Sequence, residues 1–72
     1  MTVHWLGGAP EKCDTCDTPI TTVFYDAKTQ MGPCGCMCQS CFTLGPGLGK
    51  LGTGLGQKYE KQADGRWLKT GG

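Results

Sequence analysis

Long apolar runs are missing from this chain, and so is charge of one sign. No stretch approaches the roughly 18 residues that a membrane-spanning helix needs, so no helical span is expected. The start, Met1-Thr2-Val3-His4-Trp5-Leu6, lacks a basic segment and has only a short apolar run, so no secretory signal is expected. The formal net charge is +1, which gives no general attraction to a polyanion. Histidine occurs once, as His4, with no second histidine and no cysteine at ligand spacing; an exposed or packed side chain is the simpler reading. No Ser-His-Asp set, no credible carboxylate pair and no cysteine with a matched histidine is visible, and neither is a Walker A motif. These absences point away from an enzyme and away from a small-molecule substrate. A helical period is also lacking, apart from one plausible turn after Cys41 through Phe42-Thr43-Leu44.

What the chain does have is cysteine and glycine, 6 and 13 of them in 72 residues. Four cysteines form two Cys-x-x-Cys pairs, Cys13 with Cys16 and Cys38 with Cys41, separated by 21 residues. Each pair can fold into a knuckle that aims two sulfurs at one point, and two knuckles supply the tetrahedral thiolate set that Zn²⁺ prefers. A closed four-thiolate site leaves no open position for hydrolytic chemistry, so one structural zinc is expected. Iron is the rival metal for such a set, although neither knuckle has a glycine directly after its second cysteine. A disulfide framework is the remaining alternative, but six cysteines without a secretory signal suit a reducing compartment. Four thiolates and one Zn²⁺ would take the formal charge from +1 to −1.

A metal also answers a stability problem. A core of this size rarely supplies more than roughly 3–5 kcal/mol, whereas structural zinc contributes about 10–16 kcal/mol of apparent binding free energy. The candidate core is short: Val3, Trp5, Leu6, Ile20, Val23, Phe24, Tyr25, Met37, Phe42, Leu44, Tyr59, Trp67 and Leu68.

The expected architecture is a small metal-stabilised β protein of zinc-ribbon type, with two knuckles, a β-hairpin between them, and a C-terminal β-hairpin after a glycine-rich loop. Residues 1–44 hold an arm and the ribbon core, residues 45–56 the glycine-rich loop, and residues 57–72 the hairpin and tail, all within one domain. Ile20-Thr21-Thr22-Val23-Phe24-Tyr25 reads as the best strand. Asp26-Ala27-Lys28 is expected to turn it back, and Thr29-Gln30-Met31 to return until Gly32-Pro33. In the loop, Gly-x-Gly-Leu-Gly-Lys/Gln recurs at an offset of seven residues, at 45–50 and 52–57. Gly47-Leu48-Gly49-Lys50-Leu51-Gly52 fits G-x-G-x-x-G but lacks the strand and helix that dinucleotide binding requires. Ala63-Asp64-Gly65 between two strand-like runs marks the C-terminal hairpin, on which Tyr59 and Trp67 share a face.

Two features leave alternatives open. Cys34 and Cys36 read as free thiols, as a redox pair, as part of a soft-metal cluster, or as ligands, with Cys36 replacing Cys38. The charge is also uneven, with residues 1–49 at net −2 and residues 50–72 at net +3. In a nucleic-acid or partner contact, Lys50, Lys58, Lys61, Arg66 and Lys69 would meet phosphates while Tyr59 or Trp67 stacks on bases; a solvated hairpin explains the same residues.

Several pieces spanning most of residues 13–68 resemble small zinc-ribbon-like proteins encoded by tailed bacteriophages. They are Cys13-x-x-Cys16, Phe24-Tyr25-Asp26-Ala27-Lys28-Thr29, Gly32-Pro33, Met37-Cys38-x-x-Cys41-Phe42, Gly52-Thr53-Gly54-x-Gly56-Gln57-x-Tyr59 and Asp64-Gly65-x-Trp67. Members of that group tend to carry Trp-Ala where this chain has Cys34-Gly35, so Cys34 looks like a local substitution. The resemblance implies a phage protein with a zinc site and no assigned activity. The expected function is therefore a non-enzymatic zinc-binding structural or interaction protein, a minor virion component or a binder of a phage or host protein. It would lie in the host cytoplasm or the virion. The alternative is a nucleic-acid-binding ribbon; less favoured is a thiol redox or soft-metal module.

Overall fold

The computed structural model describes residues 3–5 and 7–72. Among the described residues, four strands and one short helix follow in the order β1 (Val23–Lys28), β2 (Cys34–Met37), α1 (Gln39–Leu44), β3 (Gly56–Lys61) and β4 (Trp67–Gly71). The strands form one antiparallel sheet, ordered β2-β1-β3-β4. The C-terminal hairpin therefore joins the β1–β2 hairpin through β1–β3 pairing, with Phe24 opposite Tyr59 and Tyr25 opposite Lys58.

The central strand lies three residues later than the sequence suggests. Ile20 is drawn out of the sheet because its amide donates to the Glu11 carbonyl at 2.9 Å, closing the loop around the first cysteine pair. Asp26, Ala27 and Lys28 are strand residues, not a turn; Asp26 pairs with both Cys36 and Gln57. The reversal falls instead at Thr29–Gly32, where the Gly32 amide donates to the Thr29 carbonyl at 3.1 Å and Gly32 takes φ 109°. Glycine alone adopts that conformation freely, so it sets where the chain turns. Thr29 fastens the turn, its hydroxyl and its amide both donating to the Pro33 carbonyl, at 2.8 and 3.0 Å. The return strand is Cys34–Met37, not Thr29–Met31.

Both faces of β1 are covered, so its alternation separates two clusters rather than a core from solvent. On one face Tyr25, Ala27, Met37 and Phe42 pack with Cys13, and Val23, Cys38 and Cys41 border them. On the other, Phe24 sits against Ile20 and Tyr59, bordered by Trp5, Cys36 and Trp67. Phe24 is a hub: its ring centroid is 5.2 Å from Trp5, 5.2 Å from Tyr59 and 5.0 Å from Trp67. On the first face Tyr25 and Phe42 stack at 4.1 Å with 8° between planes, which anchors α1 to the sheet.

Leu44 departs from the expected core and is 89% exposed. The helix starts earlier than expected, at Gln39, because Cys38 already accepts a helical bond from the Phe42 amide at 3.0 Å. With Phe42 facing inward, a residue two positions on points about 200° away around the helix, toward solvent. Val3, at 41% exposure, is also only partly covered, and Leu6 lies outside the described residues.

Each outer strand of the sheet has a neighbour along its far edge. Beside β4, the Trp5 amide donates to the Trp67 carbonyl at 2.9 Å and the Lys69 amide to the Val3 carbonyl at 2.7 Å. Beside β2, the Asp14 amide donates to the Cys36 carbonyl at 2.9 Å.

Candidate metal centre

The first knuckle is a tight loop. The Asp17 amide donates to the Cys13 carbonyl at 3.0 Å, and the Cys13 amide to the Thr18 carbonyl at 2.9 Å. Asp17 follows the second cysteine with φ 62°, the left-handed conformation. Aspartate is among the few non-glycine residues that tolerate it. A knuckle without glycine at that position therefore closes all the same, so the missing glycine does not discriminate between zinc and iron. The second knuckle is the first turn of α1, with Cys38 as the residue before the helix and Cys41 inside it.

Asp14 brings the knuckles together. Besides its amide bond to Cys36, its carboxylate Oδ2 accepts from the Cys36 amide at 2.9 Å. This pair docks the first knuckle on β2 two residues before Cys38. The ligand atoms of Cys13, Cys16, Cys38 and Cys41 all lie within 4.8 Å of one another. Cys16 Sγ and Cys38 Sγ are 3.7 Å apart. A tetrahedral site with Zn–S near 2.3 Å has sulfur–sulfur edges of about 3.8 Å. The donor set and its spacing thus fit a single four-coordinate metal ion.

Threonines line the sulfurs. Thr15 Oγ1 is 3.1 Å from Cys13 Sγ, and Thr18 Oγ1 is 3.0 Å from Cys16 Sγ; each hydroxyl is the donor once its sulfur is a thiolate. Burial pushes the Cys13 thiol up, but the Thr15 hydroxyl and the amides of Cys38, Thr15 and Cys16 outweigh it and bring it down to about 6. The Thr18 hydroxyl, then the Thr18 amide, hold Cys16 below the ordinary thiol range. For Cys41 the Thr15 hydroxyl acts downward, but burial and the crowding of Cys16, Cys13 and Cys38 raise it to about 12. Successive thiolates repel, so the last proton leaves with difficulty unless a cation balances the cluster.

Asp14, Thr15 and Thr18 escaped the reading of the sequence. Their signal is the tandem Cys-Asp-Thr triplet at 13–15 and 16–18. A group that orients ligands from outside typically contributes about 10–100-fold to metal affinity, and Asp14 orients the first knuckle through the Cys36 backbone. For Asp14→Ala we expect a loss of about 10-fold or more, read by competition with a chromophoric chelator. Unchanged affinity would show that the Asp14–Cys36 bond does not position the knuckle.

Cys34 and Cys36 lie outside the cluster. They alternate along β2, opposite Lys28 and Asp26, while Met37 faces the other way into the cluster around Cys13. Cys36 packs beside Phe24; burial, then Asp26 and Asp14, raise its thiol to about 11, so it stays neutral. Cys38, not Cys36, supplies the third sulfur. Residues i and i+2 of a strand hold their Cβ atoms about 6.6 Å apart, whereas a disulfide needs about 3.8 Å. A Cys34–Cys36 redox pair is therefore disfavoured, and the four grouped cysteines are the one such metal cluster among the described residues.

The basic residues do not converge. Register puts Lys58 on the face of Tyr25 and Lys61 on that of Tyr59, beside Trp67. Lys58 Nζ lies 3.9 Å from Glu60 Oε2, and Arg66 Nε donates to Asp64 Oδ2 at 2.8 Å. Tyr59 is only 6% exposed and its ring is stacked on Phe24, so it is not free to stack on a base. Lys50 stands apart, exposed in the glycine-rich loop.

Comparison with protein-family models, curated proteins and solved structures returns no match to this chain. The cysteine cluster marks a metal-binding module.

Proposed function

We propose that this chain is a non-enzymatic zinc-binding module of a tailed phage, of zinc-ribbon type, whose metal holds a small surface in shape for a protein partner. The observation that carries the metal reading is the grouping of four sulfurs within 4.8 Å, with one pair at the 3.7 Å spacing of a tetrahedral edge. The resemblance of residues 13–68 to zinc-ribbon-like phage proteins supports the source. Two exposed apolar side chains support the partner: Leu44 at 89% and Met31 at 80% exposure. Their segments touch, because the Gln30 amide donates to the Pro46 carbonyl at 2.7 Å.

Native mass spectrometry with elemental analysis tests the metal. One zinc per chain, removed by a chelator with loss of fold, is expected; iron, or metal-free folded protein, would refute it. Affinity capture from phage-infected cells tests the partner. A phage or host protein retained by the parent chain and lost with zinc-loaded Leu44→Asp is expected; equal retention would exclude this surface.

A further inference from the structure

The four sulfurs are unequally sheltered. Cys13 is fully buried, Cys38 and Cys41 are half-buried, and Cys16 is exposed. Cys16 and Cys38 belong to different knuckles, yet their sulfurs are 3.7 Å apart. Closing that gap to the roughly 2.05 Å of a disulfide requires an approach of less than about 2 Å. Thr18 Oγ1 lies 3.0 Å from the exposed Cys16 sulfur.

We infer that Cys16 and Cys38 form a peroxide-sensitive pair, which a hydroperoxide oxidises to a cross-knuckle disulfide with release of the metal. The inference rests on the metal-site reading above. The Cys16 thiolate attacks the peroxide oxygen, the O–O bond breaks, and Cys16 becomes a sulfenic acid as hydroxide leaves. The Cys38 thiolate then attacks the Cys16 sulfur, the S–O bond breaks, and a second hydroxide leaves. Two thiolates are oxidised by two electrons and one peroxide is reduced. Only the Cys13 and Cys41 sulfurs remain as ligands, too few for the closed four-sulfur site that structural zinc occupies. Cys34 is also exposed, but it lies with Cys36 on the other side of β2 from the cluster.

The test treats the zinc-loaded full chain with hydrogen peroxide. Zinc is followed with a chromophoric chelator, and the linkage is mapped by trypsin without reduction. Cleavage after Lys12, Lys28 and Lys50 separates Cys13 and Cys16 from Cys34, Cys36, Cys38 and Cys41. We expect zinc release in step with a loss of two hydrogens. Peptide 13–28 should be joined to 29–50, with fragmentation placing the bond at Cys16–Cys38, and thiol reductant with added zinc should restore the starting state. Cys34→Ser should release zinc at the parent rate. A Cys13–Cys16 bond, a bond to Cys34, zinc release without any bond, or slowed release in Cys34→Ser would each overturn the inference. A chain carrying no zinc before peroxide is added would overturn the metal-site reading itself, and this inference with it.

Discussion

Cys13→Ala is expected to leave the chain unfolded at neutral pH, with or without added zinc. Two losses coincide at this position. The sulfur is one of four grouped for a metal, and the side chain is fully buried among Tyr25, Ala27, Met37 and Phe42. Structural zinc contributes about 10–16 kcal/mol of apparent binding free energy, more than the roughly 3–5 kcal/mol that a core of this size supplies. With three ligands the remaining stability falls below what the glycine-rich backbone needs. Far-UV circular dichroism, dispersion of the amide spectrum and zinc stoichiometry read the result. A folded variant still holding one zinc would mean that the ligand set is wrong.

Phe24→Ala is the second large effect, and it acts on the opposite face of the sheet. The ring meets Trp5, Tyr59 and Trp67 at centroid distances of 5.0–5.2 Å, and among the described residues no other aromatic joins three rings. Truncating a buried phenylalanine typically costs about 3–5 kcal/mol. In a domain of this length each kcal/mol moves the melting point by about 4–8 °C. The zinc-loaded variant should therefore melt roughly 12–40 °C lower and lose the near-ultraviolet signal of its tryptophans. The cysteines are untouched, so zinc should still bind, more weakly, through its coupling to folding. A melting point within a few degrees of the parent would show that the metal side alone holds the fold.

The metal set was readable because Cys-x-x-Cys needs little beyond spacing: a knuckle is a local object, and two of them have few ways to meet. Asp64-Gly65 was readable for the same reason, since Gly65 takes φ 89° in the turn between β3 and β4. The central strand was misplaced because its limits are set by partners distant in sequence. Ile20 is claimed by Glu11, and Asp26 is held between Cys36 and Gln57. Cys34-Gly35-Cys36-Met37 carries neither the branched residues nor the alternation that announces a strand, and becomes one by pairing with β1. The helix limits likewise depend on Tyr25 receiving Phe42. Tyr59 was legible as a hairpin aromatic, but not as one consumed by the core, because that depends on Phe24 standing opposite it.

The contact between Asp14 and Cys36 has a consequence for solubility. An outer strand with open amides and carbonyls is a template for another chain, and proteins commonly cover or charge such strands. Here the cover on β2 is the metal knuckle itself, lying along Cys36 through two bonds of 2.9 Å. A knuckle that loosens without its ion uncovers Cys-Gly-Cys-Met, a short uncharged stretch. If a bound ion holds the knuckle in place, its loss would also uncover this strand for edge-to-edge pairing between copies.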